Sequence, residues 1–472
     1  MKFLLVVWVC FTILLQGCGH AYVTESLPTL PPRTWNSDEP AEKPKADAVQ
    51  WDTLPSTFLD CVYYAMQNSP SLNASAIQIE ARKIAYTDTQ WKFLPEVHLQ
   101  YTISNNLTRY NQDKNDNIKG KNYGKNAYQL RYTAVFNNPV QTWFELGARE
   151  KMTELALLTH KKAVSNCIQK IAELFILIDA KEKEIKLKES NINEFSKLSK
   201  KAAIESKYTE SGALQTELAA DKAAWNMLDL EHAKREKTVL LGHLKGVLGI
   251  SPLLKMEIDA ASVFPFIDHF QGKNLSWQAQ WETTEEFRMQ QLQVMLERYG
   301  IYLAWAKYAP TMSFTVNESP PNGQAQSSQA KTDQFLHFTF DFPLIDWGKR
   351  YRESEIARLR VLEQLRVQQT KRLDYERGWI ECEQEVSLAA LSSLKSKQSE
   401  LIAQKQLQVA MISYRTSSAG YSTIADANAG LLQQQIGYIN AERRNALSKL
   451  RWMSHASVMD SMFIKENSSG TK

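Results

Sequence analysis

The chain has 472 residues, of which 43% are hydrophobic and 23% are charged, and 56 basic and 52 acidic residues give a formal net charge of +4. This near balance excludes a strongly basic nucleic-acid binder and an acidic disordered chain. A mean hydropathy of −0.40 excludes a polytopic helical membrane protein, which needs several apolar runs of about 20 residues.

The amino terminus carries an export signal. Its long apolar run, Phe3–Leu15, follows Lys2 and has the length of a signal-peptide core rather than of a membrane-spanning helix. The run leads into Leu15-Gln16-Gly17-Cys18, which resembles a bacterial lipobox. The sequence therefore predicts a signal peptide over 1–17 and lipidation of Cys18. The alternative is ordinary cleavage after Ala21, which ends a small-x-small sequence.

Residues 18–50 are polar and rich in proline, without any hydrophobic period. This composition predicts a lipidated, extended tether. The later thiols, Cys61, Cys167 and Cys382, are odd in number and far apart, which predicts buried free cysteines rather than a disulfide framework or a metal site.

The remainder of the chain contains an internal duplication. Short segments of the first half recur in the second half, in the same order and at offsets of 201 to 215 residues. The recurring pairs are centred on Pro95 and Pro310, Pro139 and Pro343, Gly147 and Gly348, and Gly212 and Gly420. Two structural repeats are predicted, at 51–249 and 250–453, followed by a loose tail at 454–472.

Each repeat contains two stretches in which apolar and polar residues alternate. The stretches lie near 97–103 and 129–136 in the first repeat and near 311–317 and 335–342 in the second. A period of two predicts β-strands with one apolar and one polar face. The polar face carries His98, Gln100, Arg131, Thr133, Thr339 and Asp341.

Two long stretches without proline predict unusually long helices. They run from Arg149 to Ser206 and from Lys349 to about Ile412, with a narrow apolar seam at intervals of three, four and seven. At ~1.5 Å per residue such helices are roughly 85 to 95 Å long. Gly, Ser and Thr then mark helix reversals around Gly212 and between Tyr414 and Gly420.

The apolar strand faces need a covering partner, because isolated hairpins are marginal in water. Either the strands pack as a small sandwich, or their apolar faces meet lipid and their polar faces line a lumen. In lipid the sheet must close, and closure needs at least about eight strands, whereas this chain supplies four. The membrane alternative therefore predicts a mainly α-helical protein whose copies share one β-barrel.

At this point the sequence resembles the outer-membrane efflux family, the TolC-like exit ducts of Gram-negative bacteria. The resemblance rests on the duplicated order of elements, on Leu248-Gly249, and on Pro343-Leu344-Ile345-Asp346-Trp347-Gly348, which is similar to the family's strand–helix junction. It implies a homotrimer with a twelve-stranded barrel in the outer membrane and a helical periplasmic tunnel. It also implies a periplasmic adaptor, an inner-membrane pump, and a role in tripartite efflux or type I secretion.

The resemblance assigns roles to single residues as well. Pro139, Pro343 and Gly348 stand at the junctions between strands and helices. Gly212, Tyr414 and Gly420 mark the periplasmic tips, where the family docks its adaptor. Asp426, six residues after Gly420, is a candidate for the gate, because a trimer would place three such carboxylates around one axis. The alternative is a solvated residue in the first turn of a helix.

The sequence contains no pattern that indicates catalysis. The eight His residues occur singly, and no phosphate-binding loop or nucleophile elbow is present. We therefore predict that the protein is not an enzyme and has neither a metal nor another cofactor. The rival to a passive duct is a non-conducting periplasmic coiled-coil lipoprotein, a scaffold or adaptor, which would need no lipid-facing strands.

Overall fold

In the computed structural model, the described residues are 54–105, 126–205, 212–269, 276–319, 333–341, 346–416 and 421–459. The chain divides into Met1–Leu54 and Pro55–Lys472, and every element below belongs to the second unit. The predicted signal peptide, the tether with Cys18, and the predicted positions Pro343 and Gly420 lie outside the described residues.

The order helix, strand, strand, long helix, helix occurs twice. The first half contains α1 (Phe58–Asn68), α2 (Pro70–Trp91), β1 (Glu96–Asn105), β2 (Asn126–Phe136), α3 (Pro139–Glu205) and α4 (Gly212–Leu248). The second half contains a 3-10 turn (Ala260–Val263), α5 (Phe264–His269), α6 (Trp277–Thr283), α7 (Glu285–Ala306), β3 (Thr311–Ser319), β4 (Asp333–Asp341), α8 (Lys349–Arg415) and α9 (Tyr421–His455).

The two long helices, α3 and α8, have 67 residues each, so each is about 100 Å long. Helix α8 begins at Lys349, as the sequence predicts. Helix α3 begins at Pro139, ten residues before the predicted start at Arg149. The reason is that proline fits the first helical position, where its missing N–H has no intrahelical partner to lose.

The long helices pair with different neighbours along their length. Helix α4 packs antiparallel on the strand-distal half of α3, and α9 packs on α8 in the same way. Closer to the strands, α3 lies between α2 and α7, and α7 also contacts α8. Helix α4 ends with Gly249 at φ +75, where the N–H of Ile250 donates to the carbonyl of Lys245 at 2.8 Å. Only glycine adopts this conformation without strain.

The main hydrophobic core lies where α1 meets the middle of α3 and the ends of α4 and α9. Phe58 is fully buried there, with its ring 5.7 Å from that of Phe175 and 5.0 Å from that of Phe266. Cys61 and Cys167 belong to this core as free thiols, and burial raises the pKa of Cys61 to about 12.

The carboxyl-terminal segment differs from the predicted loose tail at its beginning. Helix α9 continues to His455, and Met459 is fully buried in the core beside Met453. Residues 454–459 are therefore part of the packed structure, because their apolar side chains complete the core around α1. Residues 460–472 lie outside the described part of the chain.

The strands form one antiparallel sheet in the order β1-β2-β3-β4. Their positions agree with the predicted strands to within a few residues, and the two hairpins are joined through the pairing of β2 with β3. Each strand is next to a helix in the order of elements: β1 follows α2, β2 precedes α3, β3 follows α7 and β4 precedes α8.

Candidate functional site

The register of the sheet places the alternating apolar residues of all strands on one face. Leu99 pairs with Tyr132, which pairs with Val316, which pairs with Leu336. The neighbouring row is formed by Val97, Ala134, Phe314 and Phe338. Because side chains alternate between faces along each strand, these rows make a continuous apolar surface.

No described residue of the chain forms a layer over this apolar face. Its large side chains are exposed, and Phe338, in the middle of β4, is 62% accessible. The exposed members are Val97, Leu99, Tyr101, Tyr132, Phe136, Met312, Leu336, Phe338 and Phe340. A soluble monomer rarely leaves so large an apolar area open to water, so the face is built to meet an apolar environment.

The other face of the sheet is polar. A row of His98, Thr133, Thr315 and His337 crosses it from edge to edge. All six residues predicted for the polar face lie on this side, since Gln100 pairs with Arg131 and the remaining two, Thr339 and Asp341, belong to β4 in the same alternation. The sheet thus separates an apolar side from a polar side, which is the arrangement of a wall between lipid and water.

The sheet is open at both edges. Within the described residues, β1 pairs only with β2, and β4 pairs only with β3. Each outer strand therefore presents backbone N–H and C=O groups that can pair with a strand of another chain.

Pro139 lies at the junction between β2 and α3, as predicted, and the residue before it supplies the cap. The Oδ1 of Asn138 accepts the N–H groups of Val140 at 3.0 Å and Gln141 at 3.2 Å. Its Nδ2 donates to the carbonyl of Ala306, the last residue of α7, at 2.9 Å. This buried side chain therefore joins the start of α3 to the end of α7, across the two halves of the chain.

The junction before α8 is built on Asp346 and Gly348. Gly348 has φ +74 and is the residue that caps α8, so a side chain there would be strained. The carboxylate of Asp346 accepts the N–H groups of Gly348 at 3.0 Å and Arg350 at 3.1 Å. The hydrogen bonds from Arg350 and Gly348 hold the pKa of Asp346 below its usual range.

A cleft of about 330 Å³ lies where the polar face of the sheet meets the helices. Ser313, Thr339 and Asp341 line it from the strands. From the helices it is lined by Gln141 and Glu145 of α3, and Lys92 Nζ lies 3.3 Å from Glu145 Oε2. Polar side chains of the sheet and of α3 therefore line one cleft.

The residues predicted for the tips lie at the ends of the long hairpins. Gly212 is the first residue of α4, and Tyr414 lies in the last turn of α8. Asp426 is exposed on α9, but the helix begins at Tyr421, so the residue stands in the second turn rather than the first. The interpretation of Asp426 as a first-turn residue favoured by the helix dipole is therefore wrong.

Asp426 has a partner that the sequence reasoning missed. Its Oδ1 lies 2.9 Å from the Nζ of Lys222 on α4, and both side chains are exposed. The position in the first hairpin that matches Asp426 is Leu218, six residues after Gly212, so the internal duplication gave no signal for the pairing of Asp426 with Lys222.

Helix α8 carries an apolar stripe that the sequence reasoning did not separate from the seam. The stripe consists of exposed residues, among them Leu359, Leu373, Ile380, Leu391, Ile402 and Val409. At about 100° per residue these six lie within a sector of ~60°. The buried residues of the same helix, such as Tyr375 and Ala389, lie on a different side, and Tyr375 packs with Trp281 of α6 and Trp379. Among the residues that the structure describes, none covers this stripe along most of α8.

In the part of the chain that the structure describes, no three His, Cys, Asp or Glu side chains are grouped so that they hold a metal ion. None of the described helices combines the length and the apolar composition that a membrane span requires.

Comparison with known proteins gives a match in structure and none in sequence. No family model and no curated protein matches the sequence. Among solved structures, CusC, described in terms of transmembrane channel formation, has a TM-score of 0.69 at 13% identity and is matched over 85% of this chain and 96% of that chain.

Two other solved structures are outer membrane channels. CmeC of Campylobacter jejuni has a TM-score of 0.67 at 13% identity, over 90% of this chain and 94% of that chain. MtrE of Neisseria gonorrhoeae, in its open state, has a TM-score of 0.68 at 11% identity, over 85% and 89%. The chain therefore has the fold of the outer-membrane channels, which confirms at the level of the fold its resemblance to the TolC-like outer-membrane efflux family.

Proposed function

We propose that the protein is the outer-membrane exit duct of a tripartite efflux or type I secretion system, a passive channel rather than an enzyme. The observation that carries the proposal is the open four-stranded sheet, whose apolar face is exposed and whose polar side chains line one cleft with those of α3. Such a sheet is stable in a bilayer only as part of a closed wall.

The sheet of a single chain is too small to close. A membrane barrel needs about eight strands or more, so several copies must pair β1 of one chain with β4 of the next. The resemblance to the TolC-like family favours three copies and a twelve-stranded barrel. The exposed stripe of α8 supports the same arrangement, because each large apolar residue buried against another copy contributes about 1.5 to 3 kcal/mol.

The long hairpins suit a tunnel across the periplasm. Their tips, at Gly212, Tyr414 and Gly420, are proposed to dock a periplasmic adaptor, which in turn contacts an inner-membrane pump. Lipidation of Cys18 would tether the protein to the periplasmic leaflet of the outer membrane of a Gram-negative bacterium.

Asp426 is the proposed gate residue at these tips. It is exposed and lies on the hairpin end, where three copies of the carboxylate would face one axis. Its ion pair with Lys222 offsets part of the charge, so the strength of the gate depends on both residues.

Conductance decides between the duct and its rival. The full chain, purified from outer-membrane fractions and added to planar bilayers, should form ion-conducting trimers that dissociate only on heating. A monomeric product that stays in solution and conducts no current would contradict the duct and support the non-conducting periplasmic scaffold.

A further inference from the structure

The cleft between the sheet and α3 contacts both faces of the sheet. Ser313, Thr339 and Asp341 line it from the polar face. Phe136 and Met312 also line it, and they pair with each other on the apolar face. All of these residues stand at the strand ends closest to the helices. The cleft therefore passes around the end of the sheet, from its polar side to its apolar side.

The polar part of the cleft presents hydrogen-bond acceptors without donors of their own. Ser313 and Thr339 stand directly opposite each other in the register of β3 and β4, and Asp341 follows two residues after Thr339 on the same face. Within the described residues, no donor or cation pairs with the Asp341 carboxylate, and neither hydroxyl has a partner. An ammonium group has several N–H donors and no acceptor, so it matches this set of oxygen atoms.

The charge of the lining also favours a cation. Its ionisable side chains are Lys92, Glu145 and Asp341, which give a net charge of −1. The Glu145 carboxylate already has partners, because Lys92 Nζ lies 3.3 Å from its Oε2 and Gln141 Nε2 donates to its Oε1 at 2.8 Å. Asp341 is thus the carboxylate that remains for a ligand, and an organic anion would meet a lining of its own sign.

The wall on the α3 side is fixed without a ligand. Thr142 is only 2% exposed, and its hydroxyl donates to the carbonyl of Asn138 at 3.0 Å. Asn138 is itself held by its hydrogen bond to Ala306. A volume of about 330 Å³ lies in the range of small-molecule sites, and a preformed wall lowers the entropic cost of binding.

We propose that this cleft binds an ammonium group carried by an apolar body, with the ammonium at Asp341 and the apolar part against Phe136 and Met312. The side chains on the two faces of the sheet set this orientation. Such a ligand is either a cationic amphiphilic cargo or the headgroup of an aminophospholipid from the adjoining bilayer. As a statement about cargo, the inference rests on the proposed function.

Fluorescent probes of one shape and different charge test the cleft. The full chain, purified in detergent, is titrated with dansylcadaverine, which carries a primary ammonium, and with neutral dansylamide. The signal of micelles without protein is subtracted. The test variant is Asp341→Asn, which removes the charge and keeps the size of the side chain. The control is Glu96→Gln, at an exposed carboxylate of β1 that pairs with His98 at 3.5 Å and does not line the cleft.

We expect Asp341→Asn to weaken the binding of dansylcadaverine about tenfold and to leave that of dansylamide unchanged. Glu96→Gln should change neither. A second variant, Phe136→Leu, should weaken both probes several-fold, because it removes the ring that the apolar part contacts. Equal affinity of the wild type and Asp341→Asn for dansylcadaverine, or equal affinity of the wild type for the two probes, would overturn the proposal.

Added lipid separates the two sources of the ammonium group. Competition by phosphatidylethanolamine, but not by phosphatidylglycerol, would assign the cleft to an aminophospholipid. Binding that neither lipid displaces would assign it to a soluble cargo. The outcome is independent of conductance: conducting trimers without charge-dependent binding would contradict the cleft alone. A non-conducting monomer that still binds the ammonium probe at Asp341 would contradict the duct and retain the cleft.

Discussion

The two helical hairpins of the chain are similar in length and differ in how they are held. Between α3 and α4 the contacts are ionic, with Lys188 Nζ 2.7 Å from Asp229 Oδ2 and Lys181 Nζ 2.7 Å from Glu236 Oε2. Between α8 and α9 many of the buried side chains are alanines, namely Ala389, Ala403 and Ala410 on α8 and Ala425 and Ala441 on α9, and they lie among larger apolar side chains such as Trp379 and Ile439.

The hairpins also differ in how much of the apolar surface of their long helices is covered by other helices. Helix α3 contacts α2, α7, α4 and α9, so most of its apolar residues are covered within the chain. Helix α8 contacts α6, α7 and α9 and leaves its apolar stripe exposed. Helix α3 is thus covered mainly within the chain, whereas the stripe of α8 stays exposed and, on the proposed function, is covered by another copy.

The largest expected effect concerns the stripe of α8. Replacing Leu373 and Leu391 together by Glu should abolish the trimer, because each subunit would bury two unpaired charges at the contact between copies. Molecular mass measured in detergent reports the result. The control is Leu253→Glu, at a residue that is almost fully exposed in the loop after α4 and that should leave assembly unchanged. Trimers that persist in the double variant would remove the stripe as the contact between copies.

The next effect concerns the buried ions of the first hairpin. Lys188 is only 7% exposed and pairs with both Glu184 and Asp229. Lys188→Met keeps the length of the side chain but takes the cation from Asp229 and leaves Glu184 paired with Lys181 alone, which should reduce the free energy of local opening by about 3 kcal/mol. Amide hydrogen exchange in peptides covering 181–189 measures the change.

The matched control for Lys188 lies in the second hairpin. Arg451 pairs with Glu385 at 3.1 Å, and both side chains are exposed. Arg451→Met should therefore change exchange in α8 by less than about 1 kcal/mol. Equal effects of the two substitutions would contradict the distinction between an ionic and an alanine-rich hairpin.

Acid should weaken the first hairpin selectively. Burial acts to raise the pKa of Glu184, but hydrogen bonds from Lys181 and Lys188 outweigh it and lower this pKa below the usual 4.5. The contribution of Glu184 to stability is therefore fully present above pH 4.5 and is lost as the pH falls through the lowered value. Exchange in 181–189 should accelerate below that pH relative to exchange in α8, once both are corrected for intrinsic rates. Parallel acceleration in both hairpins would argue against a role of Glu184.

The smallest structural effect, and the one closest to function, concerns the tips. Asp426→Ala should raise single-channel conductance or reduce block by divalent cations, because it removes three carboxylates from the axis of a trimer. Lys222→Ala should have the opposite effect on block, since it frees the carboxylate from its partner. Both variants should have wild-type stability to within about 1 kcal/mol. Unchanged conductance and block in both would remove Asp426 as a gate.

The elements that depend on local pattern could be predicted from the sequence. The alternation of Leu336, Phe338 and Phe340 with His337 and Thr339 is a direct consequence of strand geometry, so β4 was found to within two residues at each end. Pro139, Gly249 and Gly348 likewise indicate where a helix begins or ends. The start of α3 was placed too late although Asn138-Pro139 contained the signal for a capped helix.

Contacts between distant segments could not be predicted. Nothing in the local sequence shows that Asn138 donates to Ala306, that Lys222 reaches Asp426, or that Met459 enters the core. Such pairs depend on how helices are arranged in space, which a single sequence does not specify. The same limit explains why the seam of α8 and its exposed stripe were not distinguished, since both consist of apolar residues with helical spacing.

The core that unites Phe58 with Met459 has a consequence for biogenesis. Its members come from the first and the last described segments of the second unit, so their sequence separation is nearly that of the whole chain. Contacts of such separation form slowly and late. If the chain is exported amino end first, as the proposed function requires, it cannot complete this core until Met459 has been released.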